Sequence, residues 1–302
     1  MQAQRVVEIS EDGRTLGVER GFLTVRLAGT EIGRVPLDDI AAVMCMSNWT
    51  LVSSAACCEL ARRGVPLVVC DKRGKYPVSC SIPLEGSYRQ AEVMQAQADA
   101  PLPLKKRIWK EIVVAKLRQQ AEVLKRFSAR DAAAKLVAIS GMVKSGDSGN
   151  CEARGALIYW RGLMGENFRR DRECADENAL FNYGYAVLRS CAIREIVASG
   201  LHPSLAVHHK SAPNNMRLAD DIMEIFRPIV DAEVKMICLD ADTGLSLDNK
   251  KRLVDSVNRR IAFGDITSNV QHMLRLFSRS LARLYMGESD ALDIRLAKSS
   301  SL

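Results

Sequence analysis

The chain changes character near residue 85. Before that point, short runs rich in β-branched and aliphatic residues alternate with turn residues, including a turn at Arg20-Gly21. One helix is predicted among them, over residues 52–63, because Gly64 supplies a C-terminal stop. The predicted strands cover residues 6–9, 15–18, 23–27 and 65–70. The first part of the chain is therefore predicted to be mainly strand.

After residue 85 the pattern becomes helical. Over residues 104–127, apolar side chains recur every three or four positions, which predicts one long helix with a single buried stripe. That stripe contains Trp109, Val113, Leu117, Ala121 and Leu124. Further helices are predicted over residues 129–143, 152–163, 177–199, 218–230, 249–260 and 268–285. We predict an α+β fold, with an N-terminal β-strand-rich domain at residues 1–85 and a larger all-α C-terminal domain at residues 86–302.

Composition excludes several classes of protein. The 302 residues are 47% hydrophobic, enough to fill a core, yet no run of about 18 apolar residues predicts a membrane span. The N-terminus lacks the apolar segment of a signal peptide, so a cytoplasmic location is expected. The nine cysteines include no paired CxxC motifs of the zinc-binding kind, and we interpret them as small buried side chains.

The charge balance favours a polyanionic partner. The chain has 43 Lys and Arg against 36 Asp and Glu, a net charge of +7. Basic residues are concentrated on the long helix after residue 85 and in a short cluster before residue 173, although such runs are usually solvated faces. The candidate DNA contacts are Lys105, Lys106, Arg107, Lys110, Lys116, Arg118, Lys125 and Arg126 on the helix, and Arg169, Arg170 and Arg172 in the cluster.

The stretch HHKSAPNNMRLADDIMEIFRP, residues 208–228, is either a solvated loop and helix or half of a metal site. On a helix, the carboxylates of Asp220, Asp221 and Glu224 can share one face. Taken alone, they are better explained as the wet side of an amphipathic helix. Three of the four histidines, His202, His208 and His209, precede them closely, and imidazole beside carboxylates suits Mn²⁺ as well as Mg²⁺.

A third element of such a site is offered by NCEARGALIYWRGLMG, in which Glu152 occupies the first turn of a predicted helix. Read alone, Glu152 is a helix-dipole partner or part of a capping arrangement that begins at Asn150. The spacing of these residues along the sequence cannot by itself show that Glu152 lies near His209.

Three ordered blocks together resemble one protein family. They are CEARGALIYW, NALFNYGYAVLRS at residues 178–190, and HHKSAPNNMRLADDIMEIFRPIVD at residues 208–231. In a chain that runs from strands to helices, these blocks closely resemble the CRISPR-associated Cas1 integrases, and most of all the short versions from type II systems.

The resemblance implies a site for a divalent metal, Mg²⁺ or Mn²⁺. The family's metal-binding positions fall on Glu152, His209 and Glu224, which would also be the catalytic residues. His208 is the register alternative to His209, and Asp220 and Asp221 would be neighbouring acids that support the ligands. The chain departs from the family at Ile225, where members often carry proline.

The resemblance also implies an activity and partners. The family joins the 3′-hydroxyl ends of short duplex DNA to a CRISPR repeat by strand transfer, and the same site cleaves DNA when water is the nucleophile. Its N-terminal domain would form a homodimer, and two dimers would flank the small ferredoxin-like partner Cas2, with other type II Cas proteins joining. Two alternatives stay open: a structure-specific, metal-dependent nuclease without integration, and a non-catalytic DNA-binding scaffold in which Glu152, His209 and Glu224 are merely structural.

Overall fold

A computed structural model describes residues 5–70, 77–81, 89–171, 177–209, 215–241 and 243–302. The predicted domain boundary near residue 85 and the predicted DNA contact Arg172 lie outside these ranges. None of the helices within the ranges is long and apolar enough to cross a membrane.

The first part of the described chain contains two four-stranded sheets. Its strands are β1 (Arg5–Ile9), β2 (Arg14–Glu19), β3 (Phe22–Leu27), β4 (Thr30–Pro36), β5 (Ile40–Cys45), β6 (Thr50–Val52), β7 (Leu67–Cys70) and β8 (Pro77–Cys80). One sheet has the order β1-β5-β7-β8, in which β1, β5 and β7 are parallel and β8 is antiparallel to β7. The other has the order β4-β3-β2-β6, a three-stranded antiparallel meander with β6 parallel to β2.

The predicted turn at Arg20-Gly21 is confirmed. Both residues have positive φ, 49° and 83°, as the tight turn that joins two twisted antiparallel strands requires. A second turn of the same kind at Ala28-Gly29 joins β3 to β4. Helix α1 (Ser54–Arg62) follows β6 and buries Leu60 in the core of this part, together with Leu16, Leu23 and Ile40.

The rest of the described chain is mostly helical. Its helices are α2 (Gln90–Asp99), α3 (Leu102–Arg126), α4 (Arg130–Ser140), α5 (Cys151–Met164), α6 (Glu177–Ala198), α7 (Arg217–Met223), α8 (Arg227–Leu239), α9 (Leu247–Asn258) and α10 (Val270–Tyr285). Trp109, Tyr159, Phe181, Phe263 and Phe277 are the bulkiest aromatic side chains buried in this core.

The predicted α+β class is confirmed, with differences in detail. A two-stranded hairpin, β9 (Ile261–Phe263) and β10 (Ile266–Ser268), lies within the helical part, which is therefore not all-α. The sequence pattern does not predict β4, β5, β6, β8 or α2. The helix predicted over residues 218–230 is wrong as one element, because the chain forms α7 and α8 with a break between them.

Side chains connect the strand-rich and helical parts. Arg194 on α6 donates a hydrogen bond from Nη1 to the carbonyl of Ile40 on β5, at 3.1 Å. Lys250 on α9 lies 2.9 Å from the carboxylate of Glu8 on β1. The two parts are therefore in direct contact through buried or half-buried polar groups.

The prediction that the cysteines are buried holds only in part. Cys45, Cys70, Cys151 and Cys191 are buried, whereas Cys57 and Cys58 on α1 are exposed. The exposed pair lies on the outer side of a helix whose apolar face is carried by Ala56 and Leu60. Cys45, Cys57, Cys58, Cys80, Cys151, Cys191 and Cys238 are free thiols.

Candidate active site

Glu152 lies in the first turn of helix α5, a helix with one buried face. Asp147, in the preceding loop, accepts hydrogen bonds from the backbone N–H groups of Cys151 at 2.8 Å and Glu152 at 2.9 Å. Asn150 has a left-handed backbone with φ of 51° and makes no capping bond through its side chain. The predicted cap at Asn150 is therefore wrong, and Asp147 satisfies the free N–H groups of the first turn instead.

Close packing of α5 against α3 sets the position of Glu152. A Cβ atom at Gly155, one turn after Glu152, would lie only 2.1 Å from Cδ2 of the buried Leu117. Since glycine lets the helices approach this closely, Glu152 Oε1 lies 2.7 Å from Nζ of Lys116, which precedes Leu117 on α3.

The break between α7 and α8 positions Glu224. Proline at residue 228 cannot continue the helix, because it lacks an N–H and its ring would clash with the carbonyl four residues earlier, which belongs to Glu224. Proline is tolerated in the first turn of a new helix, and α8 begins at Arg227. Glu224 Oε2 lies 2.5 Å from Lys116 Nζ, and Oε1 lies 3.1 Å from Nη1 of Arg227.

The acids of this segment are not a solvated helix face. Asp220, Asp221 and Glu224 are 6%, 0% and 3% exposed, so the interpretation of the acids as a wet face is wrong. Each buried carboxylate has a cationic or N–H partner, as buried charge requires. Asp220 Oδ1 accepts a hydrogen bond from Nε of Arg189 at 2.8 Å.

Asp221 holds the histidine segment in place. Its Oδ2 accepts hydrogen bonds from the backbone N–H groups of Val207 at 2.7 Å and His208 at 3.0 Å, and its Oδ1 accepts one from His209 N–H at 3.2 Å. The same Oδ1 lies 2.6 Å from Nδ1 of the His209 ring. Nε2 therefore lies on the side of the ring that faces away from Asp221, and a carboxylate on Nδ1 is how proteins commonly orient a histidine that binds a metal through Nε2.

The two adjacent histidines have different surroundings. The ring of His208 stacks on Trp109 of α3, with centroids 4.2 Å apart and planes inclined by 3°. The ring of His209 meets the edge of the same indole, with centroids 5.6 Å apart and planes inclined by 81°. The ring of His209 is within hydrogen-bond distance of Asp221 through Nδ1.

The charges of the site favour an ionised carboxylate beside a basic imidazole. Burial alone would raise the pKa of Glu224, but Arg227 and Lys116 outweigh that effect and lower it to about 2. The hydrogen bond to Asp221 raises the pKa of His209 above its ordinary value. Burial opposes the charge of Lys116, yet Glu224 and Glu152 outweigh it and raise the pKa of the ammonium.

The chemistry of the donor set fits a hard divalent cation. Two carboxylates and an imidazole are typical ligands for Mg²⁺ or Mn²⁺, and Glu224 Oε2 is a buried oxygen without a well-aligned hydrogen-bond donor. The cation that already lies between Glu152 and Glu224 is the Lys116 ammonium. In the part of the chain that the structure describes, no three His, Cys, Asp or Glu side chains are arranged so that they could hold a metal ion.

The sequence predicts Lys116 as a DNA contact, but the structure places it inside the site with 11% of its side chain exposed. A sequence signal for this was present. Lys116 follows Trp109 by seven residues and Val113 by three, so it falls on the buried stripe of α3 rather than on its basic outer face.

A second buried hydrogen-bond network, which the sequence does not predict, lies next to Arg227. Asp231 on α8 accepts hydrogen bonds from the hydroxyls of Tyr159, at 2.9 Å, and Tyr185, at 2.5 Å. Burial raises the pKa of Asp231 to about 7, although both hydroxyls act in the opposite direction. The guanidinium of Arg227 lies 4.9 Å from the centroid of the Tyr185 ring, which connects this network to Glu224.

The other predicted DNA contacts fall into two groups. On α3, Lys105 is half-buried, and the exposed residues are Lys106, Arg107, Lys110, Arg118, Lys125 and Arg126. Arg169 is exposed, whereas the guanidinium of Arg170 donates hydrogen bonds to Asn178 at 2.9 Å and Asn182 at 2.7 Å. Arg170 thus has a structural function that the charge pattern did not predict.

Comparisons with known proteins agree on one family. The family model described as CRISPR associated protein Cas1 matches residues 7–240. A CRISPR-associated endonuclease Cas1 from Neisseria meningitidis is 36% identical over 224 residues, which covers 74% of this chain and 73% of that protein.

Solved structures share the fold. A casposase bound to its integration product superposes with a TM-score of 0.76 at 19% identity, covering 97% of this chain and 93% of the casposase. The Cas6-RT-Cas1–Cas2 complex contains a chain that superposes with a TM-score of 0.74 at 17% identity, covering 96% of this chain and 36% of that one. At these identities the likeness concerns the fold alone.

Proposed function

This chain belongs to the CRISPR-associated Cas1 family, and we propose that it is the divalent-metal-dependent DNA integrase of CRISPR adaptation. In this function it joins the 3′-hydroxyl ends of a short DNA duplex to a CRISPR repeat. Each joining step is a transesterification: the 3′-oxygen attacks a phosphorus atom of the repeat, and the displaced 3′-oxygen leaves as a new hydroxyl. DNA cleavage is the same step with water as the nucleophile.

One observation carries the proposal. Glu152 of α5 and Glu224 of the α7–α8 break are remote in sequence, yet they converge on one buried cation, the Lys116 ammonium. Carboxylates that converge on one cation are the kind of ligands that can hold Mg²⁺ or Mn²⁺, and such an ion stabilises the negative charge that develops on phosphate oxygens in phosphodiester chemistry. His209 is held nearby by Asp221.

Glu152, His209 and Glu224 would bind the metal. Mg²⁺ or Mn²⁺, when bound, would supply positive charge to the phosphate and lower the pKa of the attacking hydroxyl. The chain's own residues keep this site ordered: Asp221 orients His209, and Arg227 neutralises Glu224 through Oε1. Arg189 does the same for Asp220.

DNA would reach the site over the basic beginning of α3, where Lys106, Arg107 and Lys110 are exposed. We propose double-stranded DNA and the small protein Cas2 as partners. The casposase relative is bound to an integration product, and another relative is part of a complex with Cas2. Homodimerisation through the strand-rich part and association with other type II Cas proteins follow from the family resemblance.

The test is strand transfer of a short duplex with 3′-hydroxyl ends into a supercoiled plasmid that contains a CRISPR leader and repeat. Cas2 and Mn²⁺ or Mg²⁺ are present. Wild type is compared with Glu152→Gln, His209→Ala and Glu224→Gln after each is shown to be folded. Glu166→Gln is the control, because this carboxylate is exposed, with 78% of its side chain accessible.

The proposal requires metal-dependent joining by wild type and by Glu166→Gln, and loss of joining in the other three variants. Joining that survives in those three would remove Glu152, His209 and Glu224 from the active site. Wild type that cleaves branched DNA without joining it to the repeat would be a nuclease. DNA binding with neither activity would identify a scaffold.

A further inference from the structure

We propose that the ammonium of Lys116 occupies the position of the divalent ion in the metal-free protein, so that the metal must displace it in order to bind. The inference rests on the proposed function, because it takes Glu152 and Glu224 as metal ligands. It gives Lys116 the function of an internal competitor that sets the affinity of the site for metal.

The contacts of Lys116 are those of a bound cation. Its Nζ lies 2.7 Å from Glu152 Oε1 and 2.5 Å from Glu224 Oε2. The three side chains are 11%, 26% and 4% exposed, so little solvent reaches the point where they meet. Without the ammonium, two carboxylates would face each other in a poorly solvated site, at a considerable electrostatic cost. Lys116 therefore stabilises the empty arrangement of the proposed ligands.

The other cations of the site also contact groups outside the proposed ligand set. Arg227 contacts Glu224 Oε1 at 3.1 Å, but it also packs over the Tyr185 ring and lies 3.7 Å from Asp220. Arg189 pairs with Asp220. Lys116, by contrast, pairs with Glu152 and Glu224, which are both proposed metal ligands.

Lys116 is also the cation best able to leave. A lysine ammonium is a compact charge on a flexible four-carbon stem, whereas a guanidinium is a planar group held by several directional contacts. A divalent ion placed beside an ammonium that stayed between the carboxylates would meet strong repulsion in this poorly solvated site. Exchange of Lys116 for the metal removes that repulsion and leaves both carboxylates with a cationic partner.

The affinity of the protein for Mn²⁺ can be measured directly, without DNA and without an assay of enzymatic activity. The dissociation constant is obtained by isothermal titration for wild type, Lys116→Met and Lys135→Met. Lys135 lies exposed on α4 and serves as the matched control. If the ammonium competes, its removal tightens Mn²⁺ binding by about tenfold or more, the fold-change expected when a buried charged hydrogen bond no longer opposes binding. Lys135→Met should bind as wild type does.

Equal or weaker Mn²⁺ binding by Lys116→Met would overturn the inference and leave the proposed function intact. Absence of Mn²⁺ binding in all three proteins would overturn both, because the metal itself belongs to the proposed function.

A measurement on wild type covers the case in which Lys116→Met does not fold. Lysine side chains are acylated briefly with and without saturating Mn²⁺, and the modification of each lysine is read by peptide mass spectrometry. Mn²⁺ should raise the labelling of Lys116 relative to that of Lys135, because the displaced ammonium becomes accessible. Unchanged or reduced labelling of Lys116 in the presence of bound Mn²⁺ would contradict the exchange.

Discussion

The carboxylate of Asp221 lies 2.6 Å from Nδ1 of His209, and it also accepts the backbone N–H groups of residues 207, 208 and 209. One buried side chain therefore fixes both the path of the chain and the direction of the imidazole. The arrangement joins α7 to the segment after α6 and leaves the opposite ring nitrogen facing away from Asp221, where the proposed function requires a metal ligand.

Replacing Asp221 should weaken the site without removing a ligand. Asp221→Asn keeps one acceptor oxygen and loses the negative charge, so His209 is less well oriented and less basic. We expect Mn²⁺ affinity and strand transfer to fall by about 10- to 100-fold. Titration and the plasmid joining assay measure the two quantities, with the exposed Asp255→Asn on α9 as control. An unchanged Mn²⁺ affinity would show that Asp221 does not support a ligand.

The two histidines should respond differently to the same substitution. His208→Phe preserves an aromatic ring against Trp109, so strand transfer should stay within a few-fold of wild type. His209→Phe removes the proposed ligand, and joining should fall by about 100-fold or more. If His208→Phe abolishes joining while His209→Phe does not, then the register is wrong and His208 is the ligand.

Sequence patterns predicted the long periodic elements but not the convergence at the site. The α3 stripe from Trp109 to Leu124 was sufficient to identify that helix. Strand β5 was not predicted, because its sequence IAAVMC is buried along its whole length. Such a strand shows no alternation of apolar and polar residues. The break between α7 and α8 was not predicted, although Pro228 indicates it. The apolar residues around Pro228 keep the spacing of one continuous helix.

Glu152, His209 and Glu224 could be selected as candidate metal ligands only through the resemblance of the sequence to the Cas1 family. Nothing in the spacing of Glu152 and Glu224 shows that they meet, because their proximity depends on how α5 packs on α3 and on where α7 ends. The prediction of Glu152, His209 and Glu224 as the metal ligands stays a prediction. The geometry adds Lys116, whose position on the buried stripe could have been recognised from its spacing.

The close contact of α5 with α3 predicts a stability effect at Gly155. Gly155→Ala forces a Cβ to within 2.1 Å of Leu117 unless the buried leucine moves. The free energy of unfolding should fall by about 1–3 kcal/mol, as for other overpacked cores. Urea denaturation measures it, and Gly33→Ala is the control, because a Cβ there meets no atom within 4 Å. Equal stability of both variants would mean that the helices separate without cost.

The buried carboxyl of Asp231 predicts a pH dependence of stability. Its pKa is about 7 in the folded protein against an ordinary value of 3.8, so between these values the folded state binds a proton that the unfolded state does not. The contribution of Asp231 to stability therefore falls as the pH rises from about 4 to 7. Relative to Asp231→Asn, wild type should lose at least about 2 kcal/mol over this range.

Denaturant titrations at several pH values measure this difference for wild type, Asp231→Asn and the exposed control Asp255→Asn. Asp255→Asn should follow the wild-type curve throughout. A difference between wild type and Asp231→Asn that does not vary with pH would show that the carboxyl is ionised at all these values.

The central claim is that Glu152, His209 and Glu224 form one site for a divalent metal. The most direct measurement is a crystal structure of the protein grown with Mn²⁺, with the ion located by its anomalous scattering. We expect a manganese peak in contact with all three side chains, with the Lys116 ammonium moved away from between the two glutamates. Manganese bound elsewhere, with Lys116 still between Glu152 and Glu224 at saturating Mn²⁺, would contradict the claim.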